Sequence, residues 1–177
     1  MATTTELPAL DPLDLLAIDA LLDDEERAIR DTVRQFVREN VLPDVGDWFE
    51  KGIFPRELFG ELAKLGLYGM HLDGYGLPGA SAVSYGLTCM ELEAGDAGVR
   101  SAVSVQGSLA MFPIWRWGSE EQKERWLPPM HAGEVIGLVI ETHCNYFSPL
   151  AFPRNVEAGI RVAHIGKSSV RYEIGLF

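Results

Sequence analysis

Hydrophobic positions along the first 137 residues fall at helical spacing. In DDEERAIRDTVRQFVRENV, Ile29, Val33, Phe36, Val37 and Val41 recur every three or four residues, and acids crowd the first turn, where the helix dipole favours them. Pro43 ends this helix. A second opens with Pro55 as its first residue, buries Leu58, Phe59, Leu62 and Leu65, and stops at Gly66. After the Gly-rich loop DGYGLPGAS, Asp73 to Ser81, a third helix over about Ala82 to Gly95 carries Val83, Leu87, Met90 and Ala94 on one face. A fourth runs from near Ser101 toward Trp117, with Pro113 expected to bend or break it. The fifth begins at Ser119, whose side chain can accept from the backbone of Gln122 while the Gln122 side chain reaches back, and it is expected to break at Pro128 and Pro129.

After Gly137 the period changes from helical to alternating. In NVEAGIRVAHI, Val156, Ala158, Ile160, Val162 and His164 share one parity. A turn at Gly166, Lys167 and Ser168 leads to SVRYEIGLF, with Val170, Tyr172, Ile174 and Leu176 on one face, so the two rows read as a β-hairpin. LVIETHCNYF is a third strand candidate, and the row to Phe177 leaves an apolar face with nothing visible to cover it. The fold class expected is α+β: a helical domain of five to six helices, then a short, incomplete antiparallel β segment of about three strands. The expected boundaries are an extension over 1–20, the helical domain over 21–137 and the β segment over 138–177.

With 177 residues and 47% hydrophobic content the chain can bury a core. Its net charge of -11 argues against nucleic acid or an anionic membrane surface as partner, since both need clustered Lys and Arg. The charge is uneven. Residues 1–137 hold 11 Lys and Arg against 23 Asp and Glu, while residues 138–177 hold 4 against 3, a hint of separate origin. Cys89 and Cys144 have neither metal nor disulfide spacing and suit a reducing cytosol, so a cytoplasmic location is expected. The N-terminal row has the features of neither a secretory signal nor a transit peptide, and no apolar run approaches the ~18 residues of a membrane span.

Candidate chemistry is sparse. The Gly-rich loop lacks a phosphate-cradle pattern and lies between helices, which makes it a turn. His71, His131, His143 and His164 show no ligand spacing, so no metal is expected. RSAVSVQGS contains no nucleophile elbow. Its arginine stands out: Arg100 is the only Arg in the 35 residues from Gly66, and it sits at the start of a helix of small and apolar residues. Its planar fork suits a carboxylate-bearing ligand, which it would grip through both oxygens. On the residues alone, a salt bridge to Glu93 or Asp96 accounts for it better than a ligand does.

Residues 10 to 137 resemble the N-terminal helical domain of acyl-CoA dehydrogenases, and within them the glutaryl-CoA dehydrogenases. The likeness is carried by DPLDLLAIDALLDDEERAIRDTVRQF, GYGLPGASAVSYGL, ELEAGDAGVRSAVSVQGSL and GSEEQKERWLPPMHAGEVIG. The resemblance implies a flavoenzyme that dehydrogenates an acyl-CoA across its α and β carbons, passing a hydride to FAD, with electron-transfer flavoprotein as acceptor and a homo-oligomeric assembly. It also implies that Arg100 and Ser101 bind the acyl chain, with Arg100 facing the distal carboxylate of glutaryl-CoA, Ser104 lining the same pocket and Glu93 entering the arginine's network.

The pattern departs after GEVIG. The family continues with a flavin-contacting strand bearing "CFGLTEP" and "GSD" patterns, whereas LVIETHCNYFSPLAFP stands here. No catalytic base and no flavin ligand therefore transfer to any residue. Residues from about Gly137 to Phe177 instead resemble the interior of a hotdog-fold acyl-CoA thioesterase, without that family's Asp-containing motif or central helix. The chain reads as a hybrid whose dehydrogenase activity would need parts it lacks. The alternatives are a non-catalytic truncated or chimeric remnant, or a thioesterase-related fragment.

Overall fold

The computed structural model describes residues 14, 15, 17–137, 142–149, 153, 155–166 and 169–177. The chain divides into two compact units, Met1–Leu138 and Val139–Phe177.

The first unit is helical. Helix α1 (Asp24–Asn40) starts at a reciprocal cap in which Asp23 accepts from the Glu26 backbone at 2.8 Å and Glu26 accepts from the Asp23 backbone at 3.2 Å. It buries Val33, Phe36 and Val37, and Val41 just beyond its end is fully buried. A short α2 (Val45–Lys51), absent from the periodic reading, follows Pro43 and stops at Gly52 in the left-handed conformation. Helix α3 (Glu57–Lys64) buries Leu58 and Leu62, as their spacing predicts.

The Gly-rich loop is a tight hairpin: β1 (Asp73–Gly74) pairs with β2 (Leu77–Pro78), and Tyr75 and Gly76 between them both have positive φ. Two such residues make the turn whose twist matches the flanking strands. The turn reading of this loop holds.

Helix α4 (Ala82–Gly95) has the predicted bounds but a different buried face. Ser84, Leu87, Thr88, Glu91 and Leu92 point inward, while Val83 and Met90 are about half exposed. Apolar residues lie all round this helix, so periodicity alone does not select a side. The selection comes from α1. Gly95 lies so close to it that a Cβ there would stand 2.5 Å from a Val37 methyl, and the buried Glu91 carboxylate takes both forks of Arg34 at 2.7 and 3.0 Å.

Helix α5 (Ala97–Ser104) is capped by Asp96, which accepts from the Val99 backbone at 2.8 Å. It passes into a π-helical stretch, Val105–Met111, and then α6 (Phe112–Trp117). Pro113 neither breaks nor simply bends the rod: it sits in the first turn of α6, where its missing N–H costs nothing, and the wide π turn before it absorbs the change of register. Helix α7 (Glu120–His131) opens on the predicted Ser119/Gln122 capping box but runs through Pro128 and Pro129. Each proline removes one hydrogen bond, and the burial of Leu127 and Met130 offsets the loss. Val33, Phe36, Leu62, Tyr68, Leu92, Val103, Met111 and Leu127 belong to one continuous core under these helices.

Gln106, only 1% exposed, ties the π stretch to the chain after α7. Its amide donates to the carbonyls of Met130 and Val135 at 3.1 and 2.7 Å and accepts from the Gly137 N–H at 2.9 Å. Both of its amide hydrogens and its oxygen are thus paired with backbone groups in that enclosed place.

In the second unit, β3 (Ala158–Ile165) and β4 (Val170–Leu176) form the predicted antiparallel hairpin. Ala158, Ile160 and Val162 face Leu176, Ile174 and Tyr172, so the apolar parities coincide; on the other parity Arg161 pairs with Glu173 at 2.5 Å. A bulge between Val162 and His164 sets His164 opposite Arg171, of the polar parity, and so removes it from the apolar row in which alternation had put it. The Phe177 ring covers the Gly159–Gly175 pair. Of the third strand candidate, residues 142–147 form no strand and 138–141 lie outside the described residues.

Candidate functional site

Helices α4 and α5 are joined by the single residue Asp96 and pack against each other. On α4, Tyr85, Cys89 and Glu93 follow at intervals of four; on α5 and its π continuation, Arg100, Ser104 and Ser108 do the same. Residues four apart share a helix face, so each row is one stripe. The stripes meet along a half-buried polar seam.

Arg100 anchors one end. Its Nε donates to Glu93 Oε2 at 2.5 Å and its Nη1 donates to Ser104 Oγ at 3.2 Å. Ser104 Oγ in turn donates to the Ser101 carbonyl at 3.2 Å. Of five guanidinium N–H groups, three make no hydrogen bond among the described residues. The Glu93 hydrogen bond, and then its negative charge, hold the Arg100 pKa above the ordinary guanidinium value. The salt bridge foreseen for Arg100 thus forms with Glu93, while Asp96 is spent on the α5 cap. At the other end Tyr85 Oη lies 3.1 Å from Ser108 Oγ, and the phenol stacks on His71 with ring centroids 4.4 Å apart. Cys89, partly buried, lies one turn along α4 from both Tyr85 and Glu93; burial pushes its thiol pKa up, as it does the Tyr85 phenol.

Glu93, Arg100 and Ser104 are therefore in direct contact, and Ser101 joins them through its backbone carbonyl. Tyr85, Cys89 and Ser108 escaped the sequence reading, although the four-residue spacing in both rows was a usable signal. Chemically, the seam offers a half-exposed cation with unspent donors, flanked by hydroxyls, a thiol and one carboxylate. It can grip an anionic or hydrogen-bond-accepting group. Among the described residues no cluster of three or more His, Cys, Asp or Glu could hold a metal ion.

The N-terminal domain model of the acyl-CoA dehydrogenases matches residues 23–134, which contain the whole seam. The chain belongs to the acyl-CoA dehydrogenase family. The thioesterase superfamily model matches residues 118–177, so both matches include α7. A solved glutaryl-CoA dehydrogenase from Mycobacterium smegmatis, in complex with FADH2, is 58% identical with a TM-score of 0.69 and covers 72% of this chain and 33% of its own. The short-chain specific acyl-CoA dehydrogenase of Megasphaera elsdenii is 35% identical over 124 residues, 68% of this chain and 32% of that protein. A structure from Acidaminococcus fermentans described as an electron transferring flavoprotein is 29% identical with a TM-score of 0.62, over 65% of this chain and 30% of that one. The chain thus spans about a third of the length of the relatives it matches. No helix among its described residues is long and apolar enough to cross a membrane.

Proposed function

We propose that residues 21–137 are the N-terminal domain of an FAD-dependent acyl-CoA dehydrogenase of the glutaryl-CoA type, with Arg100, Ser101, Ser104 and Glu93 as its acyl-binding wall. The observation that carries this reading is the Arg100 geometry. Glu93 and Ser104 fix the guanidinium from two sides and leave its remaining donors for a carboxylate, which a straight acyl chain without a charged end would not need. The 58% identity to a glutaryl-CoA dehydrogenase supports the same substrate class. Electron-transfer flavoprotein is the partner this reading implies, in a cytoplasmic homo-oligomer.

Dehydrogenation needs a base at the α proton and an acceptor for the β hydride, both held beside the substrate. Flavin supplies the second when bound. Described residues 142–149 belong to the row that stands where the family pattern has its flavin-contacting strand; they are exposed and form no strand, and no flavin ligand transfers to them. No step is therefore assigned through flavin, and the residues of the seam bind and orient only. This mismatch favours a second reading, in which residues 138–177 are a thioesterase-like segment joined to the domain and the chain binds acyl-CoA without turning it over. Absorbance near the flavin bands and dye reduction by glutaryl-CoA separate the two. A yellow protein that turns over sustains the dehydrogenase, and a colourless one that binds glutaryl-CoA without turnover sustains the binding module.

A further inference from the structure

The hairpin of β3 and β4 has two edges, and among the described residues neither pairs with a further strand. Unpaired N–H and C=O groups along an edge invite another strand, and folded proteins guard such edges with bulges, prolines or repelling charges. β3 is guarded twice: it has the bulge between Val162 and His164, and its row AGIRVAHI holds Arg161 and no acid. β4 is not. Its row VRYEIGL is regular, has no proline, and carries Arg171 and Glu173, of opposite sign, two positions apart on one face.

Opposite signs at that spacing make the β4 edge complementary to itself. Two copies pairing antiparallel, edge to edge, are related by a two-fold axis, and any axis through a residue keeps the apolar parity of one copy against that of the other. The charges select among these axes. Centred on Arg171 or on Glu173, the pairing sets like charges opposite each other; centred on Tyr172, it sets Arg171 of each copy opposite Glu173 of the other. Both groups have room for the contact. Among the described residues Arg171 makes no hydrogen bond or ion pair, and Glu173 receives Arg161 on Oε2 at 2.5 and 2.7 Å, which leaves Oε1 open. On the other face Tyr172, 56% exposed, meets its symmetry mate, and the joined sheet gathers Ile160, Val162 and Ile174 of both copies on one side. Such a sheet has four strands and passes the size at which a sheet with an apolar face holds together. Residues 138–177, with 4 Lys and Arg against 3 Asp and Glu, are nearly neutral, so two copies meet there without strong net repulsion.

We propose that the chain self-associates through the outer edge of β4, as a two-fold dimer whose sheet is continuous across Tyr172. The inference does not rest on the acyl-binding reading. Sedimentation of the full chain over a range of concentrations tests it, together with oxidative cross-linking. The unsubstituted chain is expected to dimerise, less tightly at high salt. Arg171→Glu leaves the Arg161–Glu173 pair in place, turns both contacts across the axis into like pairs, and is expected to weaken the dimer about tenfold. Arg161→Glu combined with Glu173→Arg inverts the pair inside the hairpin and should weaken self-association similarly. An equal mixture of this double variant with Arg171→Glu should dimerise again, because each charge then meets its opposite. Cross-linking reads the register. In a Cys144→Ser background, Tyr172→Cys lies on the axis and should form a covalent dimer under mild oxidation, whereas Ile174→Cys, about 14 Å along the strand from its mate, should not. A monomer at every concentration, a dimer indifferent to Arg171→Glu, a mixture that stays monomeric, or a cross-link at position 174 in place of 172 overturns the proposal. Should either charge variant fail to fold by circular dichroism, the comparison of positions 172 and 174, made with every charge native, decides alone.

Discussion

At His71 the imidazole is half-buried, and its Nδ1 is sealed from solvent with no hydrogen-bond partner among the described residues. Burial disfavours the charged ring and holds its pKa below the ordinary 6.5. As pH falls through 6.5 the unfolded chain takes up the proton first, so the contribution of His71 to stability is full above that value and is lost toward the lowered folded value. Urea melts from pH 7.5 to 5 should therefore show stability declining below about 6.5, by at most about 1.4 kcal/mol per pH unit from this group. His71→Phe, which keeps the stack on Tyr85, should flatten that part of the profile. A slope unchanged by the substitution refutes the assignment. His71 itself is plain in the sequence, but its enclosure is not, because that depends on Tyr85 and Gly107 arriving from later elements.

At the scale of elements, α1 and α4 are braced by Arg34 and Glu91, residues 57 apart in sequence. The carboxylate is buried and the guanidinium partly open, and the two join through paired hydrogen bonds. Removing the arginine alone strands a buried charge. Arg34→Met is expected to cost about 1–3 kcal/mol in chemical unfolding, discounted from the fully buried case for the arginine's exposure. Arg34→Met combined with Glu91→Leu should recover at least half of that loss. A double variant as weak as the single one would show that the brace acts through packing of the arginine stem. Helix bounds were largely legible: α4 falls on its predicted residues, and α7 starts at its predicted cap. Helix faces and ends were less so. Val83 and Met90 lie outward because α1 claims the opposite side, and α7 crosses two prolines because Leu127 and Met130 have a core to enter.

For the whole molecule, the two units differ in how their apolar surface is met. The helical unit has a continuous core. In the second unit Ile160, Val162, Tyr172, Ile174 and Leu176 are each more than half exposed, and a lone two-stranded hairpin is marginal in water. Between the helices and that hairpin, Tyr146 and Phe147 are 91% and 92% exposed in a segment without secondary structure. Limited chymotrypsin digestion should cut first at these two residues and release a helical fragment that melts as the intact chain does. Early cuts within 24–131 would contradict this picture of the helical unit.

The residue pattern was enough for the main helices, the cap of α7, the β-hairpin with its register up to the bulge and, through the family likeness, the residues grouped around Arg100. These follow from local spacing and backbone chemistry, which act between residues close in sequence. Tertiary structure decided which face of α4 is buried, that Pro113 is absorbed by a π turn, that Arg100 takes Glu93 while Asp96 caps α5, and that Tyr85 and Ser108 extend the seam. The buried face of α4, the Arg100–Glu93 pair and the Tyr85–Ser108 contact depend on partners from another element, and local periodicity carries no information about those.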